Sequence, residues 1–177
     1  MFQHIFYISF FILLSFYSCI EKVDFTDIKV NDQYELTVPN YLHACTDLHK
    51  NAAIQFQSTE NDIYLVAIDE KKSVIRDVGM FYNLRSYYST ILKQPFLSEI
   101  KNLTMDTFPV SAQIGKNKAL IASIMGMVNH RSVFYKLAVI ETPTSFYQII
   151  VWTRADKKKQ YERTMMKIVE SFKEIKK

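Results

Sequence analysis

Strands that are apolar on both faces constrain this chain most. Leu120, Ala122, Ile124 and Val128 alternate with Ala119, Ile121, Met125 and Met127, and Ile150 and Trp152 alternate with Ile149 and Val151. A sheet with two apolar sides has to be covered on both. The sequence predicts three long strands over 119–128, 132–140 and 146–153. Asn129-His130-Arg131 and Thr142-Pro143-Thr144-Ser145 separate them, and links that short make neighbouring strands antiparallel. A further strand over 108–114 turns at Gly115-Lys116-Asn117. Upstream, 33–38 alternates and stops at Pro39, and 52–58 and 63–68 form a hairpin about Glu60-Asn61-Asp62.

Two stretches change to helical period. Over 78–93, Met80, Leu84, Tyr87, Tyr88 and Ile91 share a face, with Asp77 as N-cap and Pro95 as stop. At the end of the chain Tyr161, Met165, Ile168, Phe172 and Ile175 form a narrow stripe, with Asp156 as cap. The expected fold class is α+β, an antiparallel β-sheet flanked by helices on both faces.

The N-terminus carries an address. Residues 2–18 contain no Asp, Glu, Lys or Arg, and the apolar run ends at Ser18, directly before Cys19. This resembles a bacterial lipoprotein signal, in which the Cys is acylated and becomes the new N-terminus. An uncleaved anchor helix or an ordinary secretory signal are the other readings, although a membrane span needs about 20 apolar residues. The expected organisation is a signal peptide over 1–18, a lipid-attached tether over 19–27 and a single globular domain over 28–177. That places the chain in the bacterial cell envelope, anchored in the membrane through its N-terminal lipid. Apart from Cys19 only Cys45 remains, so no disulfide closes within the mature chain.

Charge is uneven. Of 22 Lys/Arg and 18 Asp/Glu, nine and four fall within 154–177, leaving 13 and 14 elsewhere. The basic tail is read as a solvated helix face. No aromatic-and-basic RNA-binding signature accompanies it, so no nucleic acid partner is expected.

The order of elements and three segments carry a resemblance. These are Tyr34-Glu35-Leu36-Thr37-Val38-Pro39, then Ala53–Gln57 with Ile63–Asp69, then Phe146–Thr153 followed by a helix ending Ser171-Phe172-Lys173. Together they are similar to the PsbP/DcrB/Mog-like superfamily over essentially the whole mature domain. The resemblance implies an antiparallel sheet flanked by helices. It places the chain beside photosystem-associated lumenal proteins, bacterial envelope lipoproteins and a eukaryotic Ran-binding factor. Many members have a Trp shortly after the Val-Pro; this chain has Tyr41. Members share no catalytic residue set, so the resemblance implies no active site.

Residue patterns offer further candidates. His43, Cys45, Asp47 and His49 alternate and are all transition-metal ligand types, but an ordinary polar loop explains them as well. Met125, Met127 and His130 are a soft-metal alternative to plain core packing. A nucleophilic Cys45 paired with His43 or His49 lacks an oxyanion loop, and three Gly in the chain leave no phosphate cradle. Phe81, Tyr82, Tyr87 and Tyr88 exceed what one buried helix face needs, so the surplus is a candidate partner-binding surface. The expected function is a non-catalytic binding or accessory module for a protein partner, needing no cofactor. A periplasmic carrier of a small ligand or transition metal is the alternative, and an enzyme the third.

Overall fold

The computed structural model describes residues 23–105 and 108–175; the stretch read as a signal peptide, Cys19, Lys176 and Lys177 lie outside the described residues. Its centre is an eight-stranded antiparallel sheet. In chain order its strands are β3 (His43–Ala44), β4 (Ile54–Ser58), β5 (Ile63–Lys71), β6 (Lys101–Met105), β7 (Val110–Ile114), β8 (Asn117–Val128), β9 (Arg131–Glu141) and β10 (Ser145–Arg154). The spatial order is β3-β4-β5-β10-β9-β8-β6, and β7 pairs with another stretch of β8. A separate three-stranded sheet joins β1 (Phe25–Val30), β2 (Tyr34–Pro39) and β11 (Lys173–Glu174) in the order β1-β2-β11. The first strand begins at Phe25, inside the stretch read as tether.

Both faces of the large sheet are covered, as the two-sided apolar pattern requires. On one face Tyr34, Leu36 and Val38 of the small sheet join Tyr161, Met165, Ile168 and Val169 of helix α4 (Lys158–Glu170) over Leu65, Phe134, Ala138, Ile149 and Val151. On the other, Tyr87, Tyr88 and Ile91 of α2 (Leu84–Ile91) and Leu97 of the short α3 (Pro95–Ser98) cover Leu120, Ile124, Leu137 and Ile150. Alternation along one strand therefore feeds two separate cores, Ile149 and Val151 to the first and Ile150 to the second.

Turn residues set the register. Asn129-His130 is a two-residue link in which both residues have positive φ, the geometry that matches strand twist, and the three-residue link Asn31-Asp32-Gln33 has positive φ at its first two. Gly126 on β8 marks a close approach. A Cβ there would stand 2.2 Å from Ile100 Cγ2, so only a residue without a side chain lets the segment after α3 lie against the sheet.

The first helical region differs from expectation. A short helix α1 (Lys72–Asp77) comes first, and Asp77 is its last residue rather than the N-cap of a helix over 78–93. Gly79, at φ +75°, closes α1: its N–H donates to Arg76 O at 2.8 Å and Met80 N–H donates to Ile75 O at 3.1 Å. That pair of bonds is a Schellman closure, which needs the left-handed residue that Gly supplies. Helix α2 starts only after Asn83, whose side chain accepts from Ser86 N–H at 2.9 Å while Asn83 N–H donates to Ser86 Oγ. Met80, Phe81 and Tyr82 are therefore loop residues.

The last helix also ends early. Phe172 and Ile175 lie beyond α4, yet Phe172 is buried because the chain turns at Ser171 and continues into β11. Asp156 does not cap the helix; it pairs with Arg154. Nor is the basic tail a uniformly solvated face. Lys157 Nζ is 2.7 Å from Asp62 Oδ2, Lys158 sits over the Phe134 ring at 4.7 Å, and Lys167 over the Phe25 ring at 3.4 Å.

Candidate partner-binding cleft

The structure divides the four aromatics Phe81, Tyr82, Tyr87 and Tyr88. Tyr87 and Tyr88 belong to the core beneath α2. Tyr87 stacks on Phe146 with ring centroids 4.1 Å apart, donates its hydroxyl proton to Glu70 Oε2 at 2.6 Å and accepts from Gln148 Nε2 at 3.0 Å. Burial, then the bond to Glu70, raises the Tyr87 phenol far above its ordinary range, so it stays a neutral donor. Phe81, by contrast, is 78% exposed. Tyr82 stands between, half-buried, with its hydroxyl 3.0 Å from Met80 Sδ and its ring 6.0 Å from that of Tyr87.

Of the four, Tyr82 and Tyr87 border a cleft of about 530 Å³ between the end of β5, α1 and α2. Ile75, Val78, Met80 and Tyr82 supply apolar wall, and Glu70, Tyr87 and Thr90 supply polar groups. Around it the apolar surface is open: Val74 is 59%, Val78 64% and Met80 47% exposed. Val74, Val78 and Met80 line the cleft and Phe81 follows next in the chain, so four exposed large apolar side chains fall within eight residues beside one concavity. The Schellman turn builds it, because Gly79 reverses the chain and brings Val78, Met80 and Phe81 to the tip of the α1–α2 connection.

The cleft lies at a defined end of the molecule. Strand β1 enters the fold at Phe25, opposite Pro39, and runs toward Val30 and the Asn31-Asp32 turn. That turn shares a neighbouring cavity of about 520 Å³ with Lys71 and Ser73, at the root of α1. The entry point of the chain is thus about 17 Å, the length of β1, from the end that holds the cleft.

The candidate metal-ligand types His43, Cys45, Asp47 and His49 lie on and beside β3. His43 is in β3, and Cys45, Asp47 and His49 follow in a loop wrapped around Gln55. Gln55 Oε1 accepts from Leu48 N–H at 2.7 Å and His49 N–H at 2.9 Å, and its Nε2 donates to His49 O at 2.8 Å. The four side chains are not gathered: among the described residues no three His, Cys, Asp or Glu side chains stand together as a metal site. Burial and then Asp47 raise the Cys45 thiol, and burial and then Lys50 lower the His49 imidazole. Both shifts favour neutral forms. Met125 packs into the core beside α4, and the Met127 thioether accepts from Asn102 Nδ2 at 3.6 Å.

The PsbP-like fold emerges from comparison with solved structures. Cyanobacterial PsbP (CyanoP) from Synechocystis superposes with a TM-score of 0.61 over 88% of this chain and 95% of its own, at 11% identity. LpqN of Mycobacterium tuberculosis, a protein involved in cell envelope biogenesis, gives 0.60 over 87% and 92%, at 12% identity. A protein of Bacteroides thetaiotaomicron gives 0.54 over 81% of this chain and 46% of its own, at 10% identity. No protein-family model and no curated protein matches the sequence. Identities this low establish the shared fold alone. Among the described residues no helix is long and apolar enough to cross a membrane.

Proposed function

We propose that this chain is a non-catalytic accessory module of the bacterial cell envelope, tethered by a lipid on Cys19, that holds a protein partner in the α1–α2 cleft. The single observation that carries this reading is the exposed patch of Val74, Val78, Met80 and Phe81 beside a concave apolar wall. Exposed apolar surface grouped at a cleft costs solubility, and a partner that buries it recovers the hydrophobic free energy. The likeness to LpqN, whose role is in envelope biogenesis, supports the location. Cys19 stands six residues before Phe25, at most about 20 Å of chain, so a lipid there holds the entry end of β1 close to the bilayer. The cleft lies at the other end of β1. A second reading, carriage of a small apolar ligand, is favoured by the cleft's volume, which suits a small molecule.

The direct test places a photo-crosslinking amino acid at Phe81, an exposed loop position, in the full chain in native membranes. A discrete protein adduct is expected at Phe81, with none from the same probe at Lys159 on α4. Absence of any protein adduct overturns the partner reading, and a small molecule retained in native mass spectrometry favours the carrier. The anchor is tested separately. Intact mass of the mature protein should begin at Cys19 with acyl chains added, and Cys19→Ser should leave an unlipidated precursor. A mature N-terminus at Met1 would refute the lipid anchor.

A further inference from the structure

We infer that the partner segment received by the α1–α2 cleft inserts a cationic side chain, Lys or Arg, with its aliphatic stem on the apolar wall and its head on the Glu70 carboxylate; this rests on the partner reading above. Three charged residues line the cleft, Asp69, Glu70 and Lys71, the last three residues of β5. Successive side chains of a strand point to opposite faces. Glu70 stands on the face covered by α2, where its Oε2 accepts from the Tyr87 hydroxyl at 2.6 Å. Asp69 and Lys71 alternate to the other face, and there Lys71 and Tyr147 also line the neighbouring cavity of about 520 Å³. Of the charged lining residues, only Glu70 presents its side chain on the α2 side.

Glu70 is held in place and left without a counter-ion. The Tyr87 hydroxyl that donates to it accepts in turn from Gln148 Nε2 at 3.0 Å, and both Tyr87 and Gln148 are buried, so the bonds that orient the carboxylate lie inside the fold. Its other oxygen, Oε1, has no partner among the described residues and remains open to water. Lys72, two positions on, is committed to Glu141 at 2.8 Å and to the Phe146 ring at 4.7 Å. Asp62, Glu141 and Glu162 each have a lysine within 3 Å, whereas half-buried Glu70 has no ion pair among the described residues. A carboxylate beside an apolar wall has lost part of its hydration, and a cation brought to it supplies a charge-assisted hydrogen bond in exchange. Ile75, Val78, Met80 and Tyr82 suit a methylene stem, which Lys and Arg bury while the head reaches a polar group. An acidic side chain in the same place would meet like charge.

The test titrates the full chain in detergent with acetylated apolar pentapeptides that differ only at the central residue, which is Lys, norleucine or Glu. The Lys peptide should bind at least ~10-fold more tightly than the norleucine peptide at low salt, with the Glu peptide weakest, and the gaps should narrow in high salt. This ranking on the parent protein needs no variant. The Lys preference should vanish in Glu70→Gln, whose amide oxygen still accepts from Tyr87, and persist in Asp69→Asn on the other face. Equal binding of the Lys and norleucine peptides, binding of none, a preference for Glu, or a Lys preference untouched by Glu70→Gln overturns the inference. None of these outcomes alters the Phe81 crosslink, which tests the partner reading alone. Hexylammonium binding as tightly as the Lys peptide and displacing it would assign Glu70 to a small amine and equally overturn the inserted side chain.

Discussion

Alkaline titration is expected to unfold this domain between pH 10 and 12. Burial pushes the phenols of Tyr88 and Tyr135 up to about 12, and it holds Tyr34 and Tyr87 higher still. A group whose folded value is raised stabilises fully below its unfolded value, here 10.0, and that stability is lost as pH rises through the folded value. A raised phenol gives up about 1.4 kcal/mol of stability for each pH unit between its unfolded and folded values, so Tyr88 and Tyr135 together withdraw several kcal/mol across the window. That matches the lower end of a typical domain's total stability, ~5–15 kcal/mol. Tyr34 and Tyr87 add to it. The measurement is tyrosinate absorbance followed alongside far-UV circular dichroism. The buried phenols should ionise together with loss of the sheet signal, in a step steeper than a single-proton titration. Smooth ionisation near pH 10 with the sheet signal intact would mean that these rings are not buried as described.

Phe172→Ala is expected to cost ~3–5 kcal/mol, the range for deleting a buried aromatic ring. Its ring centroid lies 5.5 Å from that of Tyr34 and 4.8 Å from that of Tyr147, and those two rings meet at 5.0 Å. This three-ring cluster joins the chain after α4 to both sheets, so its loss loosens the small sheet as well as the helix end. Urea denaturation should show a lower midpoint with an unchanged slope. Lys159→Gln, at an exposed position, should stay within ~0.5 kcal/mol of the parent. Lys157→Gln removes the pair with Asp62 and should cost up to ~1 kcal/mol. A harmless Phe172→Ala would show that the chain after α4 does not dock where described.

The architecture was legible because it is written in local periods. Alternation over 119–153 already demanded a sheet covered on both faces, and Asn129-His130-Arg131 and Gly115-Lys116-Asn117 already marked its turns, each one residue longer than the link itself. The boundary of α2 was legible in principle too, from Gly79 as the closing residue of α1 and from Asn83 with Ser86 as a capping box. The competing stripe of Met80, Leu84, Tyr87 and Ile91 obscured both, since apolar spacing alone does not say which residues a helix contains. The split of the aromatics had no local signal. Phe81 is the more apolar of the two, yet only Tyr87 meets Phe146 and Gln148, the latter 61 positions away.

Charge divides in the same manner. From composition the C-terminal Lys and Arg were the basic region, and the rest of the chain was near neutral. Folding redistributes that charge: Asp62 reaches Lys157 across 95 positions and Phe134 lies under Lys158, while Lys71, Arg76, Arg85 and Lys93 are exposed. By itself, then, the sequence determined the layered sheet, its antiparallel turns and the apolar run before Cys19, because each depends on neighbours a few residues apart. Which aromatics are exposed, which cations are uncommitted and where the cleft opens were decided only by tertiary structure, since each depends on groups distant in the chain that packing brings within a few ångströms.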